Sequence, residues 1–165
     1  MKLVGGAEPG AQRIVGYDAS WPRVFERHAA RIAGALGERA RRIDHIGSTA
    51  VPGLAAKPIV DVLVVVDDPE DGSLVADLEA AGYVLRVAEP GHRMVRTPER
   101  DVHVHLWADA GEYLRFRDLL RADPGARREY EALKRELAPR DWPSMDDYAD
   151  AKGPLIRELL RRAGP

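Results

Sequence analysis

The sequence contains no cysteine in 165 residues. Disulfides, thiolate zinc sites and cysteine nucleophiles are therefore excluded, and a cytoplasmic location is expected. No apolar run approaches the roughly 20 residues that span a bilayer, so no membrane partner is expected. The opening segment, MKLVGGAEPGAQ, lacks the apolar centre of a signal peptide and reads as a flexible lead over residues 1–13. Neither sign of charge dominates: 25 Lys and Arg stand against 27 Asp and Glu, a formal charge of −2. No global field draws such a chain to nucleic acid, and any anion site must be local. Basic and aromatic residues do not alternate as they would on a nucleic-acid platform. Repeats, low-complexity tracts and long linkers are also missing.

What is present is an ordinary globular balance, 45% apolar and 32% charged. The length suits one core, so residues 14–165 are read as a single domain. Apolar residues recur at helical spacing from Trp21 to Leu36, with Ser20 placed to cap that helix and Gly37 to end it. Strands are expected at about Ala40 to Ile46, Ile59 to Val66 and Tyr83 to Glu89, and in a hairpin over HRMVRTPERDVHVHLW. Helices are expected over about Glu70 to Ala81, Gly111 to Arg121, Gly125 to Leu137 and Met145 to Arg162, the last capped by Ser144. This order predicts an α/β (α+β) fold, a mixed sheet flanked by helices with a helical C-terminal part.

The chemistry concentrates around HIGST and the strand that follows it. Gly47 lets backbone approach a phosphate, and the amides and hydroxyls of Ser48 and Thr49 can donate to it. Asp61 stands alone in an otherwise apolar strand, IVDVLVVV, where a carboxylate is costly unless paired or bound to a cation. His103 and His105 are two apart on a strand, so their rings leave the same face. If that face also carries Asp61, the three form a metal site, with Zn²⁺, Mn²⁺ or Fe²⁺ favoured by imidazole over Mg²⁺. The alternation in RDVHVHLW equally allows both histidines to face solvent. His92 can join the site from the hairpin's first strand, if the register permits. His45 can orient a phosphate or the loop, or be a hydrogen-bonded structural residue. His28 belongs to the apolar stripe of the first helix. Lys57 can balance a phosphate or Asp61. Trp107 and Trp142 can stack on a base or pin local structure. No G-x-S-x-G elbow surrounds Ser48, so it reads as a phosphate or metal contact rather than a nucleophile.

Hydrophobic-Gly-Ser followed by twelve residues and then Asp resembles the signature of nucleotidyltransferases. The longer string HIGSTAVPGLAAKPIVDVLV resembles the hallmark of the GrpB family, as do HVHLW, FRDLLRADPGARREYEALKRELA and DDYADAKGPLI. The resemblance covers roughly Ile14 to Ala163. It implies the nucleotidyltransferase fold and a nucleotide or other phosphorylated small molecule as partner, with a divalent metal (Zn²⁺, Mn²⁺ or Mg²⁺). The same domain occurs fused behind dephospho-CoA kinase in some bacteria. On the related folds, helix lysines contact a triphosphate, which points here to Lys134 and Lys152. Arg93, Arg96, Arg115 and Arg117 are further cations near these motifs. One departure matters. Active nucleotidyltransferases carry a second carboxylate two residues after the first, and here that position is Leu63. Metal-assisted nucleotidyl or phosphoryl transfer, a non-catalytic binding or regulatory domain, and a metal-dependent hydrolase therefore all remain open.

Overall fold

The computed structural model describes residues 3–165; Met1 and Lys2 of the lead lie outside the described residues. In chain order the elements are α1 (Trp21–Leu36), β1 (Arg42–Ile46), β2 (Val60–Val65), α2 (Gly72–Ala80), β3 (Val84–Glu89), β4 (His92–Arg96), β5 (Val102–Trp107), α3 (Tyr113–Ala122), α4 (Pro124–Leu137) and α5 (Met145–Ala163). The strands form one sheet in the order β1-β2-β5-β4-β3. Only the central β2–β5 pair is parallel; β1, β4 and β3 run antiparallel to their neighbours.

Strand alternation explains how one sheet serves two purposes. Val60, Val62 and Val64 of β2, with Val102, Val104 and Leu106 of β5, all point to one side. There they pack with Trp21, Ile32 and Leu36 of α1 and Leu74 and Leu78 of α2. Full burial of each such side chain stabilises by about 1.5–3 kcal/mol. A one-residue slip of β2 would expose three valines and drive Asp61 into the core, so the register is strongly specified. The opposite face carries Asp61, His103, His105, Met94 and His92, and the C-terminal helices close over it. Those helices have a core of their own, in which Leu120, Ala126, Tyr130 and Leu159 gather around Val51 and Leu54 of the loop before β2.

Several boundaries differ from the sequence expectation. β1 starts at Arg42 because Gly37–Arg39 form a short 3₁₀ turn after α1. The Asp71 carboxylate accepts from the Ser73 amide and so starts α2 at Gly72 rather than Glu70. Ser20 makes no side-chain cap; its own amide donates to Asp18 instead. Ser144 does cap α5, its hydroxyl accepting from the Asp147 amide at 3.2 Å and donating to the Asp147 carboxylate at 2.8 Å. Within the lead, Leu3 bridges Val87, Gly10 bridges Trp142, and Glu8 pairs with Arg96 at 2.8 Å.

Candidate metal and anion site

Asp61 and His103 are register partners on neighbouring strands, and His105 stands beside Leu63. The three side chains expected to meet do meet. His105 Nε2 lies 3.2 Å and His103 Nδ1 3.8 Å from the same oxygen, Asp61 Oδ1. One ligand atom from each residue lies within 4.8 Å of both others. Tetrahedral zinc ligands at about 2.0–2.1 Å from the metal stand about 3.3 Å apart, so small side-chain rotations would close the set around an ion. Two imidazoles and one carboxylate suit Zn²⁺ or Mn²⁺, whereas Mg²⁺ would want more oxygen ligands.

The shifts on Asp61 and His103 both favour the forms that could hold a cation. Burial pushes the Asp61 carboxyl up, but the hydrogen bond from His105, the nearby His105 and His103, and Lys57 outweigh it, so the net shift is downward. Burial holds His103 down at about 4 despite Asp61, so it is a neutral imidazole near neutral pH. A neutral imidazole is the form that binds metal.

Gly47 has a role that spacing alone does not reveal. Its φ of +75° and ψ of −176° lie in a region open essentially to glycine. A Cβ there would stand 2.8 Å from Asp61 Oδ2. The glycine is thus required by the carboxylate as well as by any approaching phosphate. Gly47→Ala is expected to cost about 1–3 kcal/mol of stability from the backbone conformation and to displace Asp61. Thermal melts with and without Zn²⁺ check this. A variant that keeps the zinc-induced stabilisation of the wild type would contradict the assignment.

The same cleft, about 490 Å³, continues to a cationic end. Lys57, Lys134 and Lys152 line it together with Ser48, Tyr130 and Tyr148. Lys57 donates to the Gln12 side chain at 3.2 Å, and Lys134 donates to the Ala55 carbonyl. Lys152 sits 4.5 Å above the Tyr148 ring. Among the described residues none of the three is in ion-pair contact with a carboxylate. Burial, together with mutual repulsion, lowers Lys134 to about 7 and Lys57 to about 8; burial lowers Lys152 to about 8. Three partly desolvated ammonium groups with no carboxylate at ion-pair distance among the described residues form a site suited to an anion of several charges. Trp107 Nε1 and Tyr148 Oη are buried without a hydrogen-bond partner among the described residues, and both residues line this cleft.

His45 is the exception among the expected ligand contacts. Its strand position turns it to the other face of the sheet, where its ring stacks on Phe25 of α1 at 5.0 Å. Its Nε2 meets the Thr49 hydroxyl at 2.9 Å, so it braces the loop from behind. That bond also engages the Thr49 side chain, while the Ser48 side chain bonds the Tyr130 hydroxyl. His28 is structural, bonded to the Tyr83 hydroxyl at 2.6 Å. Arg96 pairs with Glu8, Arg115 is tied to the Leu160 carbonyl, and Arg117 donates to the His45 carbonyl. Arg93 bonds the Glu89 and His92 carbonyls. Trp142 pins its loop through the Leu137 carbonyl at 2.8 Å, while Trp107 lines the cleft.

Sequence reasoning missed Tyr130, Tyr148 and Glu89. The tyrosines had a readable signal. Tyr130 precedes Lys134 by four residues and Tyr148 precedes Lys152 by four, the spacing that stacks two side chains on one helix face. The ammonium groups lie 5.1 and 4.5 Å from these rings.

A five-stranded mixed sheet with this cleft beneath the C-terminal helices defines a nucleotidyltransferase-like fold. The chain belongs to the GrpB family: the family model described as GrpB protein matches residues 12–162. It is 51% identical to a UPF0157 protein of Streptomyces coelicolor, over 99% of this chain and 90% of that one. It is 34% identical to a dephospho-CoA kinase of Mycolicibacterium paratuberculosis over 92% of its own length but only 46% of the relative's. Its fold matches the crystal structure of a conserved GrpB protein from Enterococcus faecalis, with a TM-score of 0.76, 32% identity, and coverage of 93% of this chain and 100% of that one. A chain of the GLD-2/RNP-8 complex shares the fold at a TM-score of 0.59 and 14% identity, over 92% of this chain and 62% of that one. No helix among the described residues is long and apolar enough to cross a membrane.

Proposed function

We propose that the protein binds a nucleotide or another phosphorylated small molecule in this cleft and carries out metal-assisted nucleotidyl or phosphoryl transfer. The observation that carries this reading is the meeting, in one cleft, of an Asp-His-His set with three lysines that have no carboxylate at ion-pair distance among the described residues. Asp61, His103 and His105 would hold a Zn²⁺ or Mn²⁺ ion. When bound, such an ion supplies Lewis-acid stabilisation of charge developing on phosphoryl oxygens. Lys57, Lys134 and Lys152 would bind and orient the phosphates, with the Ser48 hydroxyl and the Gly47–Ser48 backbone beneath them. Tyr130 and Tyr148 hold two of those lysines in place and limit water access. Relatives named dephospho-CoA kinase, which share this domain over about half their length, fit a ligand connected with nucleotide chemistry.

Leu63 supports a second reading, a binding domain without turnover. It occupies the place of the usual second carboxylate and is fully buried. Its register partner is His105, so an imidazole on the next strand stands beside the missing carboxylate. The two readings part in a nucleotide and phosphoester panel run with Mg²⁺, Mn²⁺ and Zn²⁺. Transfer is expected with Mn²⁺ or Zn²⁺ and is expected to fall strongly in His103→Ala and His105→Ala. Mg²⁺-dependent transfer that survives loss of both histidines would refute the metal assignment. Ligand-induced stabilisation, about 2.7 kcal/mol at 100-fold saturation, with no turnover under any metal would favour the binding domain.

A further inference from the structure

His105 does not end the polar chain at the site. Its Nδ1 lies 3.2 Å from His92 Nε2, and the opposite nitrogen of His92, Nδ1, lies 2.7 Å from Glu89 Oε1. With His105 Nε2 at 3.2 Å from Asp61, four side chains form one line: Glu89, His92, His105, Asp61. The parts are rigid. Glu89 and His92 are paired across the two-residue turn Pro90-Gly91, with Gly91 at φ +74°. His92 is buried, and its ring is stacked on Trp107 with centroids 3.9 Å apart and planes within 3°. The His92 and His105 rings are within 6° of parallel, which suits an in-plane hydrogen bond between them.

Proton bookkeeping along this line has a direction. An ionised carboxylate only accepts, so Glu89 requires the proton of His92 on Nδ1. Neutral His92 then presents the lone pair of Nε2 to His105. When an ion takes the place of the Nε2 proton that bonds His105 to Asp61 Oδ1, His105 keeps its proton on Nδ1, and His92 Nε2 accepts it. The same Nε2 and Oδ1, 3.2 Å apart and joined by a hydrogen bond, are thus the two atoms that an ion would bridge.

We propose that Glu89 and His92 are positioning residues that set the tautomer and ring orientation of His105, so that its Nε2 is presented with Asp61 as a ligand to a transition-metal ion. The inference rests on the metal reading of Asp61, His103 and His105 and extends it to two residues that touch no ion. Its logic is general: a ligating histidine usually donates its second N–H to an acceptor, and removing that acceptor costs about 10–100-fold in metal affinity. Here the acceptor is another histidine, itself held in the accepting state by a carboxylate.

The test is competitive titration of the full chain with Zn²⁺, with Co²⁺ as a spectroscopic probe. His92→Ala is expected to weaken Zn²⁺ binding about 10–100-fold, and Glu89→Gln to weaken it less, both keeping one ion per chain. His92→Gln is expected to recover most of the loss, because its amide oxygen can accept from His105 where the His92 Nε2 stood. Glu89→Gln loses the bias because an amide satisfies either tautomer of His92. Nitrogen-15 NMR of the Zn²⁺-loaded wild type is expected to show His105 protonated at Nδ1 and metal-bound at Nε2. Wild-type affinity in His92→Ala and Glu89→Gln, or metal on His105 Nδ1, would overturn the inference while leaving the metal site standing. If the wild type binds no stoichiometric Zn²⁺, or binds it undiminished in Asp61→Asn, the underlying metal reading fails instead.

Discussion

Asp61→Asn is expected to lower Zn²⁺ affinity by more than about 100-fold while the protein stays folded. Losing a partner that only orients a ligand costs about 10–100-fold, and Asp61 would be both a ligand and the charge that balances the ion. The substitution keeps the volume and the possibility of a hydrogen bond to His105, and the side chain is 30% exposed at the cleft, so no cavity opens in the core. The variant is also expected to lose one component of acid sensitivity. The Asp61 carboxyl is shifted below its ordinary value of 3.8. Its contribution to stability is therefore present above that value and is lost as pH falls through the lower folded value. Zinc titration followed by acid unfolding of wild type and variant checks both parts. Undiminished zinc binding by folded Asp61→Asn would remove Asp61 from the site.

The second large effect concerns the lysines. Lys152→Met is expected to weaken pyrophosphate binding about 10- to 100-fold, the scale of one hydrogen bond to a charged group. Methionine fills similar space against Tyr148, so the loss would be of charge rather than of packing. Lys134→Met is a poorer probe, because it also leaves the Ala55 carbonyl without its donor. The pH dependence follows from the lowered lysines. Their folded values, about 7 for Lys134 and about 8 for Lys57 and Lys152, lie below the ordinary 10.5. Between these values the unfolded chain binds more protons, so the empty protein gains stability as pH rises from about 7 toward 10.5. An anion favours the charged lysines, so its binding takes up protons and is strongest at low pH within this range. Sulfate, whose charge is constant here, is expected to bind progressively more weakly from about pH 6.5 to about pH 9. Calorimetry in two buffers of different ionisation enthalpy measures the proton uptake. A flat profile with no uptake would mean that the lysines do not contact the anion.

Much of this was legible in the chain. The helix over Trp21–Leu36 and the strand around Asp61 follow from periodicity, because burial on one or both faces dictates the apolar pattern. The lone carboxylate in that strand marked the site, since an unpartnered charge is not tolerated there without cause. The face of His103 and His105 was open in the sequence. Parallel register with β2, decided by valines on both strands packing under α1 and α2, is what brings them to Asp61. His45 shows the reverse. Its place beside the Gly-Ser turn drew it into the site, but alternation along β1 turns it to Phe25. Gly47 was recognised for the right position and only half the reason, because contact with a side chain fourteen residues later depends on how two strands pair. Glu89 and His92 were close in sequence across a Pro-Gly turn, yet their link to His105 depends on the order β5-β4-β3, which local patterns do not encode.

The most direct measurement is anomalous scattering at the zinc edge from crystals grown with Zn²⁺. The expected result is one strong peak per chain, about 2.0–2.2 Å from Asp61 Oδ1, His103 Nδ1 and His105 Nε2, in the cleft that the three lysines also line. A peak elsewhere, or none at these three atoms in zinc-loaded crystals, would contradict the assignment of this cleft as a metal-and-phosphate site.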